Sequence, residues 1–253
     1  MRKTIFVTGT DTGVGKTLLT AMLLCYLRRR GVDALAMKPF CSGGRNDVEL
    51  IQALQNHALL DEEVNPFYFP EPLAPLVAAR KHRRRISLSQ VLRSIERVEA
   101  QCEWLIIEGS GGVLVPLGEG FSVADLIAKL QCEIVVVGLN RVGTINHALL
   151  AVRSLQHVTN QRIKIILMGQ KRRDLSAFSN GRILGELLAP IPVLTVRFLG
   201  ENAAHPKAVE KNQEKIKKVL ARLCNQDSLN PVRLNAGGKR RKNAAIEARK
   251  KMC

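Results

Sequence analysis

A glycine-rich segment near the start of the chain contains residues suited to binding phosphate. Residues 9–17 read GTDTGVGKT, between the apolar runs 4–7 and 18–24. This order predicts a strand, a loop and a helix, and the loop's backbone N–H groups would face a polyphosphate at the positive end of the helix. Lys16 can reach the β- and γ-phosphates, and the Thr17 hydroxyl can ligate Mg²⁺. The segment therefore predicts a nucleoside triphosphate site.

Two carboxylates are candidates to share a metal ion with Thr17. Glu108 directly follows the apolar run 104–107, and Asp47 lies near the start of a predicted helix. A carboxylate after a buried strand can hold Mg²⁺ beside phosphates. A structural acid at the strand end is the alternative for Glu108, and a favourable helix-start charge is the alternative for Asp47. Because Mg²⁺ takes few protein oxygens besides water and phosphate, Thr17, Asp47 and Glu108 would suffice.

Lys38 is a candidate for direct participation in the chemistry. It follows the second apolar run and precedes a turn containing Ser42 and two glycines. Its ammonium group could neutralise a transferring phosphoryl group or an anionic intermediate. The alternatives are an ordinary lysine at a strand end and a serine that only shapes the turn. No histidine stands beside a serine or cysteine in a nucleophile arrangement, so the sequence gives no support to a covalent enzyme intermediate.

The elements that must position these residues form an α/β pattern. Apolar, β-branched runs alternate with helical periodicity, which is typical of a parallel sheet wrapped by helices. We predict strands near 4–8, 33–37, 104–107, 133–138, 163–168 and 192–197. Helices are predicted near 16–30, 47–58, 87–101, 122–130, 145–158, 178–188 and 206–224. The predicted fold is P-loop NTPase-like, with a mostly parallel sheet and helices on both faces, in one domain over residues 1–225. Ligands of such sheets bind outside the carboxyl ends of the strands.

Bulk properties narrow the class of protein. The chain has 253 residues and a net charge of +17, and its aromatic fraction is only 4%. Few aromatic side chains are available to stack on bases, so nucleic-acid binding is not expected as the main function. No apolar run reaches the ~20 residues that span a bilayer. Six scattered cysteines without a C-x-x-C pair are typical of reduced thiols, and we expect a cytoplasmic protein.

The last part of the chain differs in composition from the rest. Residues 226–253 carry eight lysines and arginines against two acidic residues. This segment lacks apolar periodicity, so we expect a basic, disordered tail. The proline-rich stretch 65–75 is expected to be a surface loop without regular structure.

Taken together, these segments resemble the dethiobiotin synthetase family over about residues 3–205. The loop is part of the resemblance, because five residues separate Gly9 from Gly15, one more than in the strict phosphate-loop motif. The remaining marks are Lys38-Pro39-Phe40-Cys41-Ser42-Gly43, Asn65-Pro66-Phe67-Tyr68-Phe69, Glu108-Gly109-Ser110-Gly111-Gly112 and Gly143-Thr144-Ile145-Asn146-His147-Ala148-Leu149-Leu150.

The resemblance implies an ATP-dependent ring closure. CO₂ adds to an amine of 7,8-diaminononanoate to give a carbamate, ATP phosphorylates the carbamate, and the second amine displaces phosphate to close the ureido ring. On this interpretation Lys16 bridges the phosphates, and Lys38 stabilises the carbamate and the transferring phosphoryl group. Mg²⁺ is implied as the metal, held by Thr17, Asp47 and Glu108.

The resemblance also assigns binding residues. Nucleotide contacts are expected from Gly13, Val14, Gly15, Lys16, Thr17, Asp47, Glu108, Gly109, Ser110, Gly111, Gln170 and Glu201. Substrate contacts are expected from Thr12, Lys38, Ser42, Gly143, Thr144 and Asn146. In the family, the segment that matches Gly143–Asn146 reaches the substrate's carboxylate tail across a dimer interface, so a homodimer is implied.

Two departures concern the base of the nucleotide. The family has asparagine for adenine recognition where this chain has Gln170, which offers the same amide on a longer arm. A later Gly-x-x-Pro wall of the family matches residues 195–198, which lack both the glycine and the proline.

Two other functions share parts of this pattern. A switch ATPase of the partitioning type has the same fold but carries a signature lysine two residues before the glycine that matches Gly13, where this chain has Asp11. A basic nucleic-acid-binding protein would have to depend on the tail.

Overall fold

The centre of the fold is a parallel β-sheet, and the computed structural model describes residues 2–172 and 174–224. The basic segment 226–253, expected to be a disordered tail, lies outside the described residues. In chain order the strands are β1 (Lys3–Gly9), β2 (Ala34–Met37), β3 (Phe40–Ser42), β4 (Phe67–Phe69), β5 (Trp104–Gly112), β6 (Pro116–Gly118), β7 (Phe121–Ser122), β8 (Glu133–Leu139), β9 (Ile163–Met168) and β10 (Val193–Val196).

Helices connect most of these strands. They are α1 (Lys16–Arg29), α2 (Asn46–Leu54), α3 (Asp61–Val64), α4 (Pro75–Lys81), α5 (Leu88–Glu99), α6 (Val123–Lys129), α7 (Thr144–Gln156), α8 (Asn180–Leu187), α9 (Pro206–Lys215) and α10 (Lys217–Leu223), with a 3₁₀ turn at Leu175–Phe178. In the part of the chain that the structure describes, no helix has the length and apolar character needed to cross a membrane.

The main sheet has six strands in the order β10-β9-β8-β1-β5-β2, and all of its pairs are parallel. Residues 4–9 of β1 are buried whichever way their side chains point, and so are residues 134–138 of β8. Burial of both kinds of position requires helices on both faces of the sheet, and it explains why these strands are continuous apolar runs. The predicted α/β fold is confirmed.

The order of the strands determines where ligands can gather. β1 lies in the interior of the sheet, with β5 on one side and β8 on the other. The chain runs from β1 to the β2 edge, returns through β5, and crosses β1 to reach β8. Such a reversal opens a crevice at the carboxyl ends of the strands. The phosphate loop follows β1 in this crevice, beside the end of β5.

The structure differs from the sequence-based expectations in three places. β5 continues to Gly112, because Gly109–Gly111 form a bulge opposite Thr8 of β1. The interpretation of 65–75 as irregular was wrong, since β4 pairs in parallel with β3 and α4 begins at Pro75, where a helix needs no N–H. The predicted helix 206–224 is two helices separated at Ile216.

Candidate active site

The phosphate loop connects β1 to α1, and glycine determines its shape. Gly15 precedes the helix with φ 101°, and Gly13 has φ 72°, both in the left-handed region that favours glycine. A Cβ on Gly15 would lie 3.2 Å from Cγ of Met168, at the end of β9. The loop therefore fits closely against a neighbouring strand and presents the N-terminus of α1 to an anion.

Lys16 is the first residue of α1 and is buried. Its Nζ donates a hydrogen bond to the carbonyl oxygen of Asp11 at 2.8 Å, so the loop closes on its own lysine. Burial, opposed by the charge of Glu108 and assisted by that of the nearby Lys38, lowers the pKa of Lys16 to about 8. An incoming phosphate would supply a negatively charged partner for this ammonium group.

Lys38 lies between two carboxylates. Its Nζ donates to Glu108 Oε1 at 2.8 Å and also bonds Asp47 Oδ2. Burial opposes the lysine charge, but the carboxylates of Glu108 and Asp47 outweigh burial and raise the pKa of Lys38 above its usual value. Lys38 is therefore a buried, permanently charged ammonium group and not an ordinary exposed lysine.

Glu108 links this lysine to the phosphate loop. The Thr17 hydroxyl donates to Glu108 Oε1 at 2.7 Å, the same oxygen that accepts from Lys38. The other oxygen, Oε2, is buried and has no hydrogen-bond partner among the described residues. A buried carboxylate oxygen needs a donor or a cation. With the Thr17 hydroxyl and the Asp47 carboxylate nearby, the donor set is the hard oxygen set that Mg²⁺ prefers, with two carboxylates rather than a cage.

The glycine-rich end of β5 is shaped mainly by packing. A Cβ on Gly109 would lie 2.8 Å from Cε1 of Phe6, so only glycine fits against that ring. Gly111 has φ 61° and is close to Val115. The Ser110 hydroxyl donates to the carbonyl oxygen of Phe40 at 3.1 Å, so this side chain links β5 to β3.

Two predicted substrate residues flank the bulge of β5. Thr12 is exposed, and a Cβ on Gly111 would lie 3.5 Å from its Oγ1. The Ser42 hydroxyl at the end of β3 is buried without a hydrogen-bond partner among the described residues. The Tyr68 hydroxyl donates to the carbonyl of Gly43 at 3.1 Å and holds the turn that follows Ser42. Ser42 is thus free to bond a ligand.

The segment after β8 begins α7. Gly143 precedes the helix with φ 89°, Thr144 is buried, and Asn146 is exposed. A Cβ on Gly138 would lie 3.3 Å from Thr144 Oγ1, so this hydroxyl faces the sheet. Of the predicted substrate residues in this segment, Asn146 is the one whose side chain is turned outward.

A cavity of about 390 Å³ opens beyond the ends of β9 and β10. Gln170 lines it, together with Asn140, Phe178, Thr195 and Arg197. Glu201 lies on an exposed loop and pairs with Lys171 at 2.5 Å. The cavity follows the strand whose Met168 abuts Gly15, so it lies on the β9 side of the phosphate loop.

Asn180 was not among the predicted site residues, but its side chain bonds Asn140, which lines this cavity. Its Nδ2 donates to Asn140 Oδ1 at 3.0 Å and to the carbonyl of Arg141 at 3.1 Å. Asn180 is buried in the first turn of α8. The feature of the sequence that could have identified it is a polar residue on an otherwise apolar face of the helix.

The chain is similar to known proteins both in sequence and in fold. Residues 3–233 match the family model described as an AAA domain. The ATP-dependent dethiobiotin synthetase BioD of Bacillus licheniformis is 38% identical over 208 residues, which cover 80% of this chain and 88% of that protein. The protein of the same name from Endomicrobium trichonymphae is 36% identical over 210 residues, covering 80% of this chain and 94% of that protein.

Solved structures of low sequence identity share the fold. The MinC:MinD cell division protein complex of Aquifex aeolicus aligns with a TM-score of 0.61 at 15% identity, covering 92% of this chain and 99% of that chain. A ParA family ATPase from Chlorobium tepidum TLS aligns with a TM-score of 0.52 at 13% identity, covering 86% and 93%. These likenesses confirm the P-loop architecture, and the curated relatives give the family. The chain belongs to the ATP-dependent dethiobiotin synthetase family.

Proposed function

We propose that this chain carboxylates 7,8-diaminononanoate with CO₂ and closes the ureido ring of dethiobiotin at the expense of ATP, releasing ADP and phosphate. Family membership supports this reaction. The observation that carries the proposal is the buried network of Thr17, Glu108 and Lys38, which joins a second ammonium group to the phosphate loop of Lys16.

The reaction brings two anions together, a carbamate and a triphosphate. Their repulsion must be offset by positive charge before the phosphoryl group can be transferred in line. Lys16, whose charge is poorly compensated in the free protein, pairs with the β- and γ-phosphates. Lys38, which stays charged, holds the carbamate and the transferring phosphoryl group. Both ammonium groups lie at the same edge of the sheet, because Lys38 bonds the Glu108 oxygen that also accepts from Thr17, the residue after Lys16.

We also propose Mg²⁺ as the metal of this site. The unpartnered Oε2 of Glu108, the Thr17 hydroxyl and the Asp47 carboxylate would hold it. When bound, the ion would neutralise charge on the phosphate oxygens. Lys38 bonds one oxygen of each carboxylate. Its ammonium group therefore already balances part of the negative charge of Asp47 and Glu108 that the metal would also balance.

The organic substrate is assigned to the β3 side of the phosphate loop. Thr12 and the unpartnered hydroxyl of Ser42 would orient the diamine or its carbamate. Across the proposed dimer interface, Gly143, Thr144 and Asn146 at the start of α7 would reach the carboxylate tail of a substrate bound to the second copy, since backbone N–H groups at a helix start suit an anion.

ATP is the proposed nucleotide. Its phosphates would contact the loop from Gly13 to Thr17, and its base would enter the cavity lined by Gln170, near the exposed Glu201. The amide of Gln170 can donate and accept, as recognition of adenine requires. Gly109, Ser110 and Gly111 would contact the nucleotide through their backbone groups. The two glycines are closely packed and have no side chain, and the Ser110 hydroxyl already bonds the carbonyl of Phe40.

A homodimer is proposed from an exposed apolar surface beside α7. Val142 and Leu175 have exposed fractions of 72% and 88%, and the bond from the Val142 amide to Asp174 holds their loops together. Exposed apolar side chains on neighbouring loops are typical of protein interfaces.

The five described cysteines are free thiols, which supports a reducing compartment such as the cytoplasm.

The test is an assay of ADP release with each substrate omitted in turn. We expect release that requires both diaminononanoate and bicarbonate, and dethiobiotin as the product by mass spectrometry. A set of nucleoside triphosphates run in parallel would show which base the Gln170 cavity accepts. ADP release independent of diaminononanoate would contradict the proposed reaction.

A further inference from the structure

The backbone of Lys38 lies between two strands. β2 ends at Met37 and β3 begins at Phe40, so Lys38 and Pro39 form the connection. Pro39 has no N–H to donate, so it cannot anchor this connection through a hydrogen bond of its own amide. The hydrogen bonds that hold the main chain of Lys38 must therefore come from another segment.

That segment runs parallel to it, from α3 into β4. Phe40 pairs with Phe67 in the register of β3 and β4, and two residues further back this register sets Lys38 opposite Asn65. The Lys38 amide donates to the carbonyl of Val64 at 2.8 Å, as a parallel ladder requires. The next backbone bond between the two segments runs from the Phe67 amide to the carbonyl of Pro39 at 3.0 Å and passes over the carbonyl of Lys38. Residue 66 is proline and has no N–H to offer, so a backbone bond to the Lys38 carbonyl is missing.

The side chain of Asn65 takes the place of the missing bond. Its Nδ2 donates to the carbonyl oxygen of Lys38 at 2.8 Å and to that of Pro39 at 3.3 Å. Asn65 is 4% exposed, and its Oδ1 is buried without a hydrogen-bond partner among the described residues. The carbonyl of Pro39 also accepts from the Phe67 amide at 3.0 Å, so the Lys38 carbonyl is the one that depends on Asn65.

We propose that Asn65 is a positioning residue for Lys38 in the ring-closing reaction, an inference that depends on the role proposed for Lys38 above. Without the Asn65 amide, the Lys38 carbonyl is a buried acceptor with no donor. The connection between β2 and β3 would then shift until this carbonyl reaches another donor. Lys38 Nζ would then leave its place between Asp47 and Glu108. A shift of about 1 Å at a reacting group can lower the rate ~100-fold.

The first test is Asn65→Ala, assayed by ADP release dependent on diaminononanoate and bicarbonate. We expect kcat to fall about 10- to 100-fold. The KM for ATP should change less than about twofold, because the phosphate loop does not touch Asn65. A kcat within about twofold of the unmodified protein would overturn the inference.

Two comparisons separate this inference from the proposed function and from loss of stability. In a Lys38→Met background, Asn65→Ala should cause no further loss, because both act through one group. If Lys38→Met itself keeps normal kcat, the proposed role of Lys38 fails. If Lys38→Met is inactive while Asn65→Ala is normal, only the present inference fails. Asn212→Ala is the matched control, since Asn212 is also buried and donates to a backbone carbonyl, that of Leu199. An equal loss of kcat in that variant would indicate general destabilisation.

Discussion

Lys38 and Glu108 form a buried ion pair of 2.8 Å between Nζ and Oε1, although 70 residues separate them in the chain. β5 lies between β1 and β2 in the sheet, so the residues at the carboxyl ends of β2 and β5 are neighbours. Removing one partner of a buried ion pair leaves an uncompensated charge, so both members are sensitive positions.

Lys38→Met tests the catalytic role of this lysine. We expect kcat to fall by about 100- to 1,000-fold, the usual effect of deleting one group that stabilises transition-state charge. Equilibrium binding of ATP, measured by calorimetry, should weaken by less than about threefold, because Lys16 and the loop remain. A collapse of ATP affinity with normal residual chemistry would show that Lys38 serves the nucleotide instead.

Glu108→Gln tests the proposed metal site. Glutamine keeps an oxygen for the Thr17 hydroxyl but removes the charge that a divalent cation needs. We expect the Mg²⁺ concentration for half-maximal activity to rise at least about tenfold. Glu133→Gln is the matched control, because Glu133 also pairs with a buried lysine, Lys164, on another strand. An unchanged Mg²⁺ dependence in Glu108→Gln would remove Glu108 from the metal site.

The lowered pKa of Lys16 predicts pH-dependent binding of triphosphate. Below pH 8 the ammonium group is charged and attracts phosphate, and above pH 8 the free protein must take up a proton to bind. Affinity for ATP should therefore fall about tenfold from pH 7 to pH 9. Calorimetry in buffers of different ionisation enthalpy would detect the proton uptake. Lys16→Arg, which stays charged throughout, should lose most of this pH dependence.

Three glycine-to-alanine variants test the geometry of the loop through thermal unfolding of the free protein. Gly15→Ala should destabilise most, because its φ of 101° disfavours alanine and its Cβ would crowd Met168. Gly13→Ala has the backbone penalty alone, about 1–2 kcal/mol, with open space around it. Gly185→Ala, within α8 and also in open space, should stabilise by about 0.5–1 kcal/mol. Any other order would contradict the loop conformation.

Leu175→Asp tests the proposed homodimer. A charge in the apolar surface beside α7 should convert a dimer to a monomer in light scattering, and it should lower activity if the partner completes the substrate site. Leu60→Asp is the control, since Leu60 is also an exposed leucine, at 56%, on a different part of the surface. A dimer that withstands Leu175→Asp would place the interface elsewhere.

The sequence alone determined the sheet and the edge that carries the site. Six apolar runs predicted the six strands of the main sheet, because strands buried on both faces cannot carry polar side chains. Ligands of such sheets bind at the carboxyl ends of the strands, so the sequence also predicted that the phosphate loop, Lys38 and Glu108 lie close together. Periodicity did not find β3 and β4, because each is a three-residue strand next to prolines and is held by pairing that is distant in sequence.

Only the tertiary structure decided what each polar group contacts. That Thr17 and Lys38 share one oxygen of Glu108, and that Ser110 turns to Phe40, depends on side-chain directions set by a bulge in β5. The bond from the Asn65 amide to the Lys38 carbonyl joins segments 27 residues apart in the chain, at a point where Pro66 offers no N–H. Residue types state which hydrogen bonds and charges are available, but distances between segments far apart in the chain decide which ones form.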